Sequence, residues 1–274
     1  MRMRLMVNII FATLCFACVN VVAQDSNMRL ASWERGVSVQ PISEPDMRVY
    51  LWFYEWHMFD AVNRGQHTRG AWKNRITIRK DGKLATVESS NPGITLEITP
   101  VRDGAEMKLT IVNRSRHEWP PLASIIACFN PGPEATRNRQ FANTNTWFHA
   151  ADGLQRLAMR APREIHYNHK LRAEIDAAAD NDGRHAWTAK WPKSQVDAIE
   201  GLIIRESTDN RWVTAIAWER FLSAQGHNPW ECMHLSIHVG PLARDATRVV
   251  RGKIYLLEGS KDDALSRYHA DFRR

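Results

Sequence analysis

Cysteine is scarce: the 274-residue chain holds four, and two of these, Cys15 and Cys18, fall in an apolar N-terminal run. A disulfide-dense scaffold is therefore excluded. Beyond that run, where Cys15 and Cys18 happen to stand three apart, there is no C-x-x-C, and H-E-x-x-H, G-x-S-x-G and any phosphate-binding glycine loop are missing throughout, which removes the common zinc, zinc-protease, serine-hydrolase and nucleotide readings. No internal repeat and no low-complexity segment occurs. The 37 basic and 30 acidic residues give a formal charge of +7, but the Lys and Arg are scattered and form no block of the kind that marks nucleic-acid binding.

Arg2 and Arg4 precede an apolar run from Leu5 to Val22 that ends at the small-residue site Val21-Val22-Ala23, the pattern of a cleaved export signal. Asn8 and Asn20 interrupt the run, and its length is near the lower limit for spanning a bilayer. Cys15 stands where lipid attachment at Cys18 would want a branched aliphatic residue. The expectation is residues 1–23 as leader and 24–274 as one domain, exported to a periplasmic or extracellular space and not held in the membrane after cleavage. Losing Arg2 and Arg4 leaves 35 basic against 30 acidic residues, a charge of +5. Cys128 and Cys232 then remain, each in an apolar run, either paired or free and buried.

From Val49 onward the hydrophobic period is two. Val49, Leu51, Phe53, Glu55 and His57 share one side of an extended segment, and Tyr50, Trp52, Tyr54 and Trp56 share the other. A strand wet on one side would not carry four large aromatics there, so it lies between layers or under a ligand groove. Residues 24–48 read as a polar, exposed lead-in ending in a short strand. Downstream, Ile76–Ile78, Leu84–Glu88, Ile94–Thr99 and Met107–Ile111 alternate, and the Asp81-Gly82 and Asp103-Gly104 turns favour hairpins. Residues 163–195 read as a long excursion with one or two helical turns, carrying His166, His169, His185, Trp187 and Trp191. Strands return at Ile199–Glu206, Trp212–Glu219, Cys232–Val239 and Val249–Leu257, and Ser260 caps a short final helix that places Leu265, Tyr268 and Phe272 on one side. The fold class is all-β, a large antiparallel β-sandwich with one short C-terminal helix.

The run ITLEITPVRDGAEMKLTIVNRSRHEWPPLASIIACFNPG, residues 94–132, resembles part of the galactose-mutarotase-like supersandwich, where a long strand ends in an Asn-x-Ser turn and the next strand runs to an aromatic. The resemblance implies a curved antiparallel sandwich whose concave face binds carbohydrate, a fold also used by polysaccharide lyases and hydrolase accessory domains. In the aldose epimerases of that group a histidine just before the aromatic acts on the sugar ring oxygen. Here Ala127 and Cys128 stand beside Phe129, a departure that argues against a simple mutarotase.

Three clusters carry groups fit for chemistry. Residues 50–72 hold seven aromatics, Trp56 and Trp72 among them, with Glu55, His57, Asp60, His67 and Arg69. Glu55 and His57, two apart on a strand, would lie roughly 6–7 Å apart, near enough to remove and return a proton on one ligand. Alternatively, Glu55 pairs with an arginine and the aromatics are core. The second cluster, Gln225-Gly226-His227-Asn228-Pro229-Trp230-Glu231 preceded by Trp218 and Glu219, suits a loop mouth where indoles stack on sugar C–H patches, or else a turn whose tryptophan plugs the sandwich. In the third, His234 and His238 would stand about 13 Å apart on one strand, too far to share a metal unaided, and His166 and His169 would meet only on a helix. Asn143, Asn145, Trp147 and His149 complete a candidate polar wall.

The reading is a carbohydrate-active protein. Glu55, His57, His67, His227 and Glu219 form its candidate catalytic set. Trp52, Trp56, Arg69, Trp72, Asn145, Trp147, Trp218, Asn228 and Trp230 line its substrate groove. No metal or cofactor is implied, the expected partner is a neutral or acidic carbohydrate, and nucleic acid is not expected. The alternatives are a non-catalytic binding module and a structural envelope module.

Overall fold

The computed structural model describes residues 26–33, 36–59, 74–89, 93–131, 140–157, 159, 164–178, 192–226 and 231–273, and for residues 52–59 and 131 the backbone alone. The leader expected over residues 1–23 lies outside them. Sixteen strands are described: β1 Met28–Trp33, β2 Gly36–Pro41, β3 Val49–Phe59, β4 Arg75–Ile78, β5 Ala85–Ser89, β6 Gly93–Val101, β7 Gly104–Val112, β8 Ser124–Pro131, β9 Phe141–Ala150, β10 Gly153–Arg156, β11 Ile165–Tyr167, β12 Leu202–Ser207, β13 Trp212–Trp218, β14 Phe221–Gln225, β15 Met233–His238 and β16 Thr247–Glu258. Two helices accompany them, α1 Arg172–Ala177 and α2 Lys261–Phe272. None among the described residues is long and apolar enough to cross a membrane.

The strands form two antiparallel sheets, as the period-two pattern requires. One has seven strands in the order β1-β2-β3-β8-β15-β14-β11, and the other has nine in the order β10-β9-β12-β13-β16-β7-β6-β5-β4. Their apolar faces share a core: Leu30, Val39, Leu51, Phe129 and Leu235 from the first sheet meet Leu96, Leu109, Ile203, Ile216 and Ile254 from the second. Alternation assigns the remaining residues to the outer faces. Met233, Leu235 and Ile237 point inward, which leaves His234 and Ser236 outward.

The meander β4-β5-β6-β7 forms as the two Asp-Gly turns foretold. Gly82 has φ +69° and Gly104 φ +141°. At Gly104 a Cβ would stand 1.9 Å from the Ile254 carbonyl oxygen, so only glycine fits. The last helix begins with Ser260 and Asp263 in a reciprocal capping box, and Leu265, Tyr268 and Phe272 pack on the outer face of the nine-stranded sheet.

Three expectations are corrected. Residues 24–48 are no exposed lead-in: β1 and β2 form a hairpin with Met28, Leu30, Val37 and Val39 in the core, because those apolar residues alternate among polar ones. β14 was not foreseen, since Ser223 and Gln225 on its outer side make Phe221–Gln225 look like loop. Strict alternation also fails along β3. Trp52 pairs with Cys128 and His57 with Ile126, so residues 53–56 stand opposite Ala127 alone. This bulge moves position 57 from the expected side of Val49 and Leu51 to the outer-face register.

Candidate functional site

The outer face of the seven-stranded sheet gathers polar side chains from four strands. One cross-strand row runs Ile165, Gln225, His234, Cys128, position 52, Gly36, Trp33, and a second runs Tyr167, Ser223, Ser236, Ile126, position 57. Directly opposed residues share a face with Cβ atoms about 4.5–5.5 Å apart, so each row is a contiguous strip. Ser223, Gln225, His234 and Ser236 are each less than 8% exposed. The Ser223 hydroxyl donates to Ser236 Oγ at 3.1 Å, while Ser124 Oγ, also buried on this face, finds no hydrogen-bond partner among the described residues. At the β1 end the rings of Trp33 and Tyr50 meet at a tilt, with centroids 4.1 Å apart and planes at 41°. Tyr50 is buried and Trp33 half-buried. Polar side chains withdrawn from water beside a half-exposed indole distinguish this face from the apolar inter-sheet core.

Behind this face lies a buried cation. Arg205 of β12 donates from Nε to Thr146 Oγ1 at 2.7 Å, from Nη2 to Asn143 Oδ1 at 2.9 Å and from Nη1 to the Glu231 carbonyl at 2.8 Å. Burial pushes its pKa down to about 10, against the opposing pull of Cys232 and Glu231, so it stays charged at neutral pH. Its bond to Glu231 O fixes a residue with φ +60° immediately before Cys232.

A second constellation sits under α2. Glu200 Oε2 accepts from His149 Nδ1 at 2.5 Å and His269 Nε2 at 3.1 Å, and Oε1 from Arg273 Nε at 2.5 Å. Burial raises the Glu200 carboxyl pKa, but the hydrogen bonds and charges of His149 and His269 outweigh it and the net shift is downward. Both oxygens are satisfied, so this is a fastening for the helix.

The expected site residues therefore fall in different places. Trp52, Glu55, Trp56 and His57 lie in β3, and the register brings positions 52 and 57 to the polar face. Trp218 is fully buried in the inter-sheet core and lines no groove. Glu219 accepts from the backbone N of Arg251 at 2.7 Å and from its Nε at 2.9 Å, in the turn after β13. Trp147 lies on the outer face of the nine-stranded sheet, with Arg156 and Lys261 5.0 and 5.1 Å from its ring, and alternation puts Asn145 beside it. His67, Arg69, Trp72, His227, Asn228 and Trp230 lie outside the described residues. His166 binds Val196 O at 2.9 Å through Nδ1 and stacks on Phe148 between the sheets. His169 is exposed in a separate 3-10 turn. His238 Nε2 faces Pro121 O at 2.6 Å, and burial holds its pKa below the ordinary value. Sequence reasoning missed Trp33 and Ser223, which lay in segments not read as strands, and placed Gln225 on a loop mouth where the structure has the last residue of β14. The signal in the sequence that marks this face is the alternation of Cys232, His234 and Ser236 with Met233, Leu235 and Ile237.

No model of a known protein family and no curated protein sequence matches the chain. Among solved structures it is similar to the α-N-acetylgalactosaminidase NagBb of Bifidobacterium bifidum in complex with GalNAc, at 15% identity and TM-score 0.47, covering 89% of this chain and 37% of that one. It is also similar to a putative aldose 1-epimerase of Escherichia coli K12, at 7% identity and TM-score 0.39, covering 84% of this chain and 99% of that one. A galactose mutarotase-like protein of Lactobacillus casei ATCC 334 matches at 9% identity and TM-score 0.41, with the same coverages. The latter two names are those of the group that residues 94–132 resemble.

Proposed function

We propose that the chain is an exported protein that binds a sugar or polysaccharide on the outer face of its seven-stranded sheet. The observation that carries this is the pair of cross-strand rows in which Gln225, His234, Ser223 and Ser236 are withdrawn from water on a face edged by Trp33 and Tyr50. Hydroxyls and amides of this kind exchange hydrogen bonds with sugar hydroxyls, and indole and phenol rings stack on the sugar's C–H patches. The names of the similar structures agree with a sugar ligand without adding weight to it.

Turnover is the second reading, and the register of His57 favours it. Position 57 falls on the same face as His234, and Glu55 lies within the adjoining bulge. Neither cross-strand row contains a carboxylate, so a proton transfer of the epimerase or lyase kind rests on Glu55 with an imidazole partner. A glycan array followed by reducing-end and unsaturated-product assays on the bound glycan tests both readings. Binding by wild type, Glu55→Gln and His57→Gln alike with no product supports a binding module. Product lost in both variants with binding retained supports the enzyme. The absence of any bound glycan overturns the proposal.

A further inference from the structure

The sheet register brings together three ligating groups far apart in the chain. Cys232 immediately precedes β15, His234 is the second residue of that strand, and Cys128 of β8 is the direct cross-strand partner of His234. The thiol sulfurs and an imidazole nitrogen all lie within 4.8 Å of one another. All three residues are buried, Cys128 at 0%, Cys232 at 1% and His234 at 7% exposure, and neither cysteine is in a disulfide.

We propose that Cys128, Cys232 and His234 form a Zn²⁺ site with a fourth, open position on the polar face. Zinc takes thiolate sulfur at about 2.3 Å and imidazole nitrogen at about 2.0–2.1 Å in a tetrahedron, whose edges fall inside the observed spread. Two thiolates and a neutral imidazole cancel the ion's charge, which a buried site requires. The two thiol protons leave to solvent and nothing is oxidised or reduced. Three protein ligands leave the fourth position of the tetrahedron to an exchangeable ligand, the arrangement of zinc sites that bind one.

The cluster is also held in place. Arg205, reaching from the other sheet, clamps Glu231 O at 2.8 Å and so fixes the bend that presents Cys232, as outer groups orient ligands in metal sites. His149, Glu200 and His269 also lie within 4.8 Å of one another, but Arg273 already occupies the Glu200 carboxylate, which leaves that cluster the weaker site. The zinc site stands on its own geometry and holds whether or not the face takes a sugar.

Cobalt is the probe, because Co²⁺ substitutes for Zn²⁺ and thiolate ligation gives it charge-transfer absorption in the near ultraviolet and strong visible bands. The full chain carrying Cys15→Ser and Cys18→Ser, so that only two thiols report, is titrated with Co²⁺ under reducing conditions. The expected result is saturation at one equivalent, bleaching by one equivalent of Zn²⁺, and loss of the bands in Cys128→Ser, Cys232→Ser and His234→Gln. The reading on the parent protein does not depend on the folding of those variants. Two freely reactive thiols with no charge-transfer band would overturn the proposal. So would an intact mass two hydrogens lower, showing a Cys128–Cys232 disulfide that excludes the metal.

Discussion

Trp218 lies against Gly252 of the neighbouring strand, where an added Cβ would meet the indole at 2.4, 2.5 and 2.8 Å. The missing side chain at 252 is thus the space the tryptophan fills. Gly252→Ala should cost about 1–3 kcal/mol by overpacking, and Trp218→Ala roughly 3–5 kcal/mol by leaving a cavity, both read from urea midpoints at unchanged m-value. Trp218→Phe should lower stability without changing any ligand affinity, since the residue faces core. A loss of binding in a folded Trp218→Phe protein would return the indole to the site. The sequence could not decide this point, because Trp218 alternates into the core only once β13 is packed against β16.

At the scale of elements, α2 depends on a cap and on one carboxylate. Ser260 and Asp263 satisfy the first turn, and Glu200 ties His269 and Arg273 of the helix end to His149 of β9. The Glu200 pKa is lowered in the folded protein from an ordinary 4.5, so the charged form is favoured by folding. Its stabilisation is full above the unfolded value and is lost as pH falls through the lower folded value. Glu200→Gln should therefore be less stable than wild type at pH 7, and the gap should narrow as pH drops below about 4.5. Urea unfolding of both proteins over a pH series checks this, and a gap that does not change with pH would refute it. The helix and the β4–β7 meander were legible because capping and Asp-Gly chemistry are local. β14, the β1–β2 hairpin and the bulge in β3 were not, since each is settled by what lies across the sheet. Ser223 and Gln225 resemble loop residues until their neighbours Ser236 and His234 are in place, and the side of His57 depends on its pairing with Ile126.

Across the whole molecule, the sandwich separates residues that had been grouped as one site. Trp218 is in the core, Trp147 on the outer face of the nine-stranded sheet, Glu219 in a turn paired with Arg251, and the Gln225–His234–Cys128 row on the outer face of the other sheet. Composition could foretell an aromatic-rich sandwich, but the face carrying the chemistry emerges only from the strand order, which places β15 between β8 and β14. The account's central claim is that this row is where ligand binds. Its most direct test is calorimetric titration of the glycan selected on an array into wild type, Gln225→Leu and Trp218→Phe, each first shown to be folded. The account predicts that Gln225→Leu weakens binding at least about tenfold, roughly 1.4 kcal/mol, while Trp218→Phe binds as wild type does. Unchanged affinity in Gln225→Leu would contradict it.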